Sequence, residues 1–225
     1  MSDKNHDQAH EDHTGPVKTP KQMLLLSFFS FVVPIFLIIG LVLFLGAHSI
    51  RMVADAWRTQ AIASWGEKPF KGVYTLIALV GFYAMVTGYA EARLQTVALW
   101  TPPIATRHIS VLLMLLASVL MAAAYVPRNH LKLRMGHPMV LSVKVWALAH
   151  LLANGNLADV VLFGSFLLWS VFNFKAARAR DRAAAPVQTN AKTSATLLTL
   201  LIGVAMWALF AFYLHAQLVG VSPLG

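Results

Sequence analysis

Apolar residues in this chain come in long unbroken blocks, not as stripes recurring every third or fourth position. Six such blocks, at about residues 23–47, 72–90, 109–126, 138–153, 158–174 and 196–218, are separated by short segments rich in Lys, Arg, Pro and Gly. A helix of about 20 apolar residues crosses the hydrocarbon core of a bilayer, and no segment alternates with the period of two that marks a strand. The pattern predicts an all-α polytopic integral membrane protein, a bundle of six transmembrane helices over residues 23–219 with no internal duplication. Residues 1–22 are polar, mixed in charge and without a signal-peptide pattern, so a disordered tail is expected there. Its His6, His10 and His13 stand among Asp7, Glu11 and Asp12, a spacing that gathers a divalent cation only if the tail becomes helical.

Two segments depart from uniform apolarity. The first helix is expected to continue past Ala47 as far as Arg58, and His48, Arg51, Asp55 and Arg58 recur there at +3, +4 and +3. That spacing gathers all four into an arc of roughly 80°. The stripe has two readings: an amphipathic extension lying at the interface with its polar side to water, or a buried stripe turned into the bundle. The second segment, residues 135–155, places Pro138 at a first helical position and stops at Asn154-Gly155-Asn156, which is capping and turn chemistry. His150 lies twelve residues beyond Pro138, roughly 18 Å along the axis and at hydrocarbon depth. If the first helix stays continuous to Arg58, His48 lies roughly 15 Å above the same side, and the two depths agree. If the membrane ends at Ala47, most of the bilayer separates them. A joint His48/His150 site therefore requires the buried reading of the stripe.

Composition supports the bilayer as solvent: 58% of residues are hydrophobic and 12% charged. The chain has no cysteine, which excludes disulfides, thiolate nucleophiles and Cys-ligated metals. The net charge of +9 is concentrated in connections and reads as topology-setting charge, not as a nucleic-acid surface. Arg51, Arg58, Lys68, Lys71, Arg128, Lys132, Arg134, Lys175, Arg178, Arg180, Arg182 and Lys192 follow spans one, three and five, whereas the opposite side has Arg93, Arg107, Lys18 and Lys21. The positive-inside rule makes the first side cytoplasmic and both termini external.

Two imidazoles facing each other across a bundle, with no thiolate present, suit a six-coordinate haem b, each giving one nitrogen to iron and its other N–H to a carbonyl or side chain. The helix face carrying His150 also bears Val143, Ala147 and Asn154, and small Ala147, one turn before the histidine, leaves room for a flat macrocycle. Arg51, Arg58, Arg107 and Lys144 are candidate partners for its propionates. The plain alternative is two buried histidines, each bonded to backbone, with no cofactor. His137 is turned more than 100° from His150 and reads as the helix start, His108 as an interfacial or supporting group, His130 as a loop residue, and His215 as a packing or interface residue.

GAHSIRMVADAWR, GEKPFKGVY, LWTPPIATRH and HPMVLSVKVWALAHLLANG together resemble the NnrU family of bacterial inner-membrane proteins, from roughly Leu37 to the C-terminus. That family is associated by name with nitrite and nitric oxide metabolism. It is similar to the zeta-carotene isomerases, membrane enzymes that hold haem b between two histidines and isomerise a cis double bond in a redox-dependent way. The resemblance implies His48 and His150 as axial ligands; a cysteine three residues before the second histidine in those enzymes falls at Ala147 here. Three functions follow as expectations: a haem-b enzyme acting on a lipophilic polyene, a haem protein that senses nitric oxide or supports denitrification, or a cofactor-free transporter or scaffold. The bilayer is the partner all three share.

Overall fold

The computed structural model describes residues 19–94, 97–184 and 190–224, with backbone alone for 22–34. The expectation of a disordered, histidine-bearing tail falls on residues 1–18, outside the described residues, apart from its last positions, which begin the first helix. The elements are α1 (Pro20–Val53), α2 (Asp55–Trp65), α3 (Glu67–Ala92), α4 (Ile104–Tyr125), α5 (His130–Met135), α6 (Pro138–Ala153), α7 (Leu157–Ala183) and α8 (Thr193–Leu209), followed by a π-helical turn (Phe210–Leu214) and α9 (His215–Val219). No strand forms among the described residues; one isolated antiparallel bridge joins Ala98 and Asn156.

The chain is an all-helical, multi-pass membrane protein. Five helical segments are long and apolar enough to cross a bilayer: Ile35–Val53, Glu67–Ala92, Ile104–Tyr125, Leu157–Ala183 and Thr193–Val219. The sixth expected span, α6, has 16 residues and so a length of roughly 24 Å. Its bounds match the expected 138–153, with Pro138 in the first turn where its missing N–H is harmless.

Small residues and buried hydroxyls set how closely these helices approach. Gly40 on α1 and Gly81 and Gly88 on α3 let the two backbones touch: a Cβ on Gly88 would overlap the Leu37 nitrogen, and one on Gly81 would come within 2.7 Å of the Phe44 nitrogen. Across α4 and α6, Ser110 donates to the Ala149 carbonyl and Ser142 to the Ala117 carbonyl, both at 2.7 Å and both buried. The central core, Leu37, Leu41, Met85, Ala147, Leu162, Phe163 and Phe166, lies where α1, α3, α6 and α7 meet. α8 packs on α4, with the Trp207 indole N–H donating to the Val111 carbonyl at 3.1 Å.

Two local expectations are corrected. The first helix does not continue to Arg58: Ala54 leaves the helical region at φ −141°, ψ 43°, and α2 begins at Asp55, an acid placed favourably at a helix N-terminus. Trp57 and Trp65 on α2 and Phe70 on α3 cluster with ring centres 6.4–6.5 Å apart. Both tryptophans are exposed, so α2 fits the interfacial reading of the polar stripe. The cations after span five ride on helix, because α7 extends to Ala183 and carries Lys175, Arg178, Arg180 and Arg182. The expected stop at Asn154-Gly155-Asn156 is observed, with Asn154 at the C-cap of α6, and Gly155 has a further part. It lets the chain pass against the Trp100 carbonyl, where a Cβ would collide, while Leu99 donates to its carbonyl at 2.8 Å.

Candidate functional site

Both intramembrane histidines are held the same way. His48 Nδ1 lies 2.7 Å from the Phe44 carbonyl and His150 Nδ1 2.9 Å from the Trp146 carbonyl, each four residues back on its own helix. A carbonyl only accepts, so Nδ1 carries a proton in both rings, and the neutral form of each leaves the lone pair on Nε2. No hydrogen bond to either Nε2 is present among the described residues. That is the state a metal-ligating imidazole adopts, and it is equally the state of a histidine satisfied by backbone.

The rings occupy different levels. His48 packs against Phe44, Tyr74 and Trp169, with centroids 4.3, 5.5 and 6.3 Å away, whereas His150 stacks on Phe163 at 4.5 Å and lies 5.1 Å from Trp146. Phe163 and Trp169 are six residues apart on α7, or roughly 9 Å along its axis. The view from the other helices agrees. Phe44 and Trp146 both contact Phe166, and each histidine lies one turn beyond, in opposite directions along antiparallel helices, which gives roughly 12 Å. The shortened first helix explains the offset, since His48 is five residues from its inner end and His150 twelve from the start of α6.

One macrocycle ligated by His48 and His150 together would need the two nitrogens roughly 4 Å apart across the iron; the neighbours of the two rings place them at different levels of α7. Phe44 and Trp146 each contact Phe166, with ring centres 6.0 and 5.3 Å away. Ala147 opens no gap there: it is 0% exposed within the core. The expected propionate partners do not converge. Arg51 is exposed at the inner end of α1, Arg58 on α2 is 3.5 Å from Asp55, and Lys144 is half-buried in the inner half of α6. Arg107 is exposed at the opposite end of the bundle. There, with His108, Val111, Leu112, Pro223 and Leu224, it lines a groove of about 300 Å³. Asn154 caps α6 and donates from Nδ2 to the His150 carbonyl at 2.9 Å.

What surrounds His150 is richer than sequence reasoning found. His215 faces it, with ring centroids 6.5 Å apart and planes 25° from parallel. His215 Nδ1 in turn lies 2.7 Å from the Val221 carbonyl. Asp159, 2% exposed, accepts from the Tyr89 hydroxyl at 2.5 Å and from the Asn156 N–H at 3.3 Å, closing a capping box at the start of α7. Arg93 lies 5.8 Å from the Tyr89 ring centre. The Asn156-x-x-Asp159 pattern was a readable cap, but nothing local showed that Tyr89 would meet it. Near His48, the Trp169 indole N–H is buried without a hydrogen-bond partner among the described residues.

The remaining histidines sit apart from this cluster. His137 precedes Pro138 at the inner end of α6 and its Nε2 is 2.9 Å from Asp181 on α7, while His130 Nδ1 is 2.8 Å from the Thr196 hydroxyl. Among the described residues no group of three or more His, Asp or Glu side chains could hold a metal ion unaided.

A family model described as NnrU protein matches residues 36–223. No curated protein and no solved structure matches the chain.

Proposed function

Because the chain belongs to the NnrU family, we propose that it binds haem b through His150 and acts on a lipophilic substrate that reaches the site from the bilayer, as the zeta-carotene isomerases it resembles do. The supporting observation is the His150 ring itself: proton on Nδ1, lone pair on Nε2, orientation held by the Trp146 carbonyl and by stacking on Phe163. The backbone behind it is anchored as well, since Asn154 bonds the His150 carbonyl and Ser110 bonds the Ala149 carbonyl. The Nδ1–H bond to the Trp146 carbonyl raises the basicity of the imidazole as a ligand, and the backbone bonds hold its direction. When bound, haem would supply a redox-active iron whose ligation sets its affinity for a sixth ligand or a double bond. Trp146, Phe163 and Phe166 pack edge to face beside His150 and make its surroundings aromatic and apolar.

The cellular setting belongs to the same proposal: a bacterial cytoplasmic membrane, the basic end of α7 inside and both termini outside. A reduced-minus-oxidised spectrum of protein purified after expression with haem supplied tests the reading. A Soret band that shifts on reduction is expected, and its absence in both redox states rejects haem binding. With haem present, cis-carotene supplied to expressing cells is expected to change isomer. No isomerisation, together with tight nitric oxide binding by the reduced form, rejects the enzyme in favour of a sensor.

A further inference from the structure

We infer that the groove at the start of α4 binds the head and upper chain of an anionic phospholipid, with Arg107 holding the phosphate. Haem plays no part in this. Arg107, His108, Val111 and Leu112 line one wall, and the pairs 107/111 and 108/112 are each one helical turn apart, so the four form a single stripe along α4. Arg107 stands three residues from the start of the helix and Leu112 eight, roughly 4.5 and 12 Å along the axis. A helix of 22 residues is roughly 33 Å long, so the first depth is that of headgroups and the second that of hydrocarbon. The stripe passes from cationic to apolar over the same distance in which a phospholipid passes from phosphate to acyl chain.

The C-terminal segment builds the second wall. α9 closes at Gly220, whose φ of +76° turns the chain back, and the Val221 carbonyl lies 2.7 Å from His215 Nδ1. Pro223 and Leu224 are thereby brought across from α4, while Trp207 bonds the Val111 carbonyl and holds α8 beside the stripe. The space between, about 300 Å³, is at the small end of ligand sites. It suits a headgroup and the first carbons of one chain, the rest of the lipid staying in the bilayer. Leu112 is 67% exposed, so the groove opens sideways toward lipid. Charge selects the occupant. Among the described residues neither Arg107 nor His108 makes a hydrogen bond, and no carboxylate lies within 4 Å of the guanidinium. Arg93, at the same end of the bundle, is instead placed over the Tyr89 ring. A guanidinium fork matches two phosphate oxygens, the imidazole adds another donor, and an uncompensated cation favours an anionic headgroup over a zwitterionic one.

The test is photolabelling of full-length protein in phosphatidylcholine nanodiscs that carry a trace of phosphatidylglycerol with a diazirine high on one chain. Label is expected in the peptides containing Val111 and Leu112 and those containing Pro223 and Leu224. Arg107→Ala is expected to lower it about tenfold, the lower end of what a hydrogen bond to a charged group contributes. Arg107 is exposed and bonds no described protein group, so its loss spares the fold. Leu224→Asp puts a carboxylate into the groove and is expected to abolish the label, whereas Leu224→Lys is expected to increase it. Arg182→Ala, at the other end of the bundle, is expected to leave it unchanged. Label spread evenly over lipid-facing positions, label undiminished in Arg107→Ala, or equal labelling by a phosphatidylcholine probe overturns the inference. Displacement by inorganic phosphate at matched ionic strength marks a site for a soluble anion, and displacement by carotene a site for an uncharged substrate; either result also overturns it.

Discussion

Tyr89→Phe removes one oxygen atom and leaves a buried carboxylate one hydrogen bond short. Asp159 is 2% exposed, and its 2.5 Å bond from the Tyr89 hydroxyl is shorter than the 3.3 Å bond from the Asn156 N–H. A length of 2.5 Å falls in the range of charge-assisted O–H···O⁻ bonds, roughly 2.5–2.7 Å. Hydrogen bonds between membrane helices average only about 0.6 kcal/mol when both partners find substitutes on unfolding. Bonds to charged groups contribute about 1.5–3 kcal/mol. The larger figure governs here because the carboxylate has almost no access to water. Phenylalanine keeps the ring beneath Arg93, so the change isolates the hydroxyl. For a chain of this size the loss corresponds to a fall in unfolding temperature of about 3–12 °C. Thermal unfolding in detergent measures it, and a double-mutant cycle with Asp159→Ala, which removes the acceptor, assigns it to the pair. The reasoning fails if Tyr89→Phe changes stability by less than about 0.5 kcal/mol, or if it has the same effect in the Asp159→Ala background as in wild type.

Gly88→Ala places a Cβ on the Leu37 backbone nitrogen and should destabilise the α1–α3 contact by about 1–3 kcal/mol. Gly72→Ala on the same helix meets nothing within 4 Å and should be neutral or stabilising by about 0.5–1 kcal/mol, so equal unfolding temperatures for the two variants would refute the packing argument. Asn129, 0% exposed, accepts from the Lys132 N–H at 2.7 Å and donates to the Ala123 and Val126 carbonyls at 2.9 and 2.6 Å. Asn129→Ala therefore loses a helix cap and two donated bonds, about 2–4 kcal/mol together, and limited proteolysis between α4 and α6 should accelerate. Asn129→Asp keeps the cap acceptor but sets a carboxylate oxygen against the Ala123 and Val126 carbonyls, so it should recover none of that loss.

Fold class was legible because bilayer crossing imposes a length and a composition on each helix that no neighbour can waive. The bounds of α6 followed from Pro138 and the Asn-Gly-Asn that closes it. The site was less legible, for reasons visible in particular residues. His48 and His150 were placed at one depth by treating residues 48–58 as continuous helix. The break at Ala54 involves neither Gly nor Pro, so no residue type announced it. His215 was assigned to packing or the interface from its place near the outer end of the last helix, and that it packs on His150 could not be read, because the π-helical turn before it leaves no compositional mark. The Asn156/Asp159 cap was local and readable, while its Tyr89 partner lies 70 residues away.

The amino-acid order by itself determined that this chain crosses a membrane repeatedly, which end of each span is basic, and that histidine is the strongest metal ligand available. Those properties depend on transfer free energies and side-chain chemistry, which each segment carries wherever it sits. Tertiary structure alone decided which histidines meet. Facing direction and level depend on helix breaks, inserted turns and glycine-limited approach distances, and an offset of about one turn, roughly 5 Å, separates a shared site from two unrelated rings.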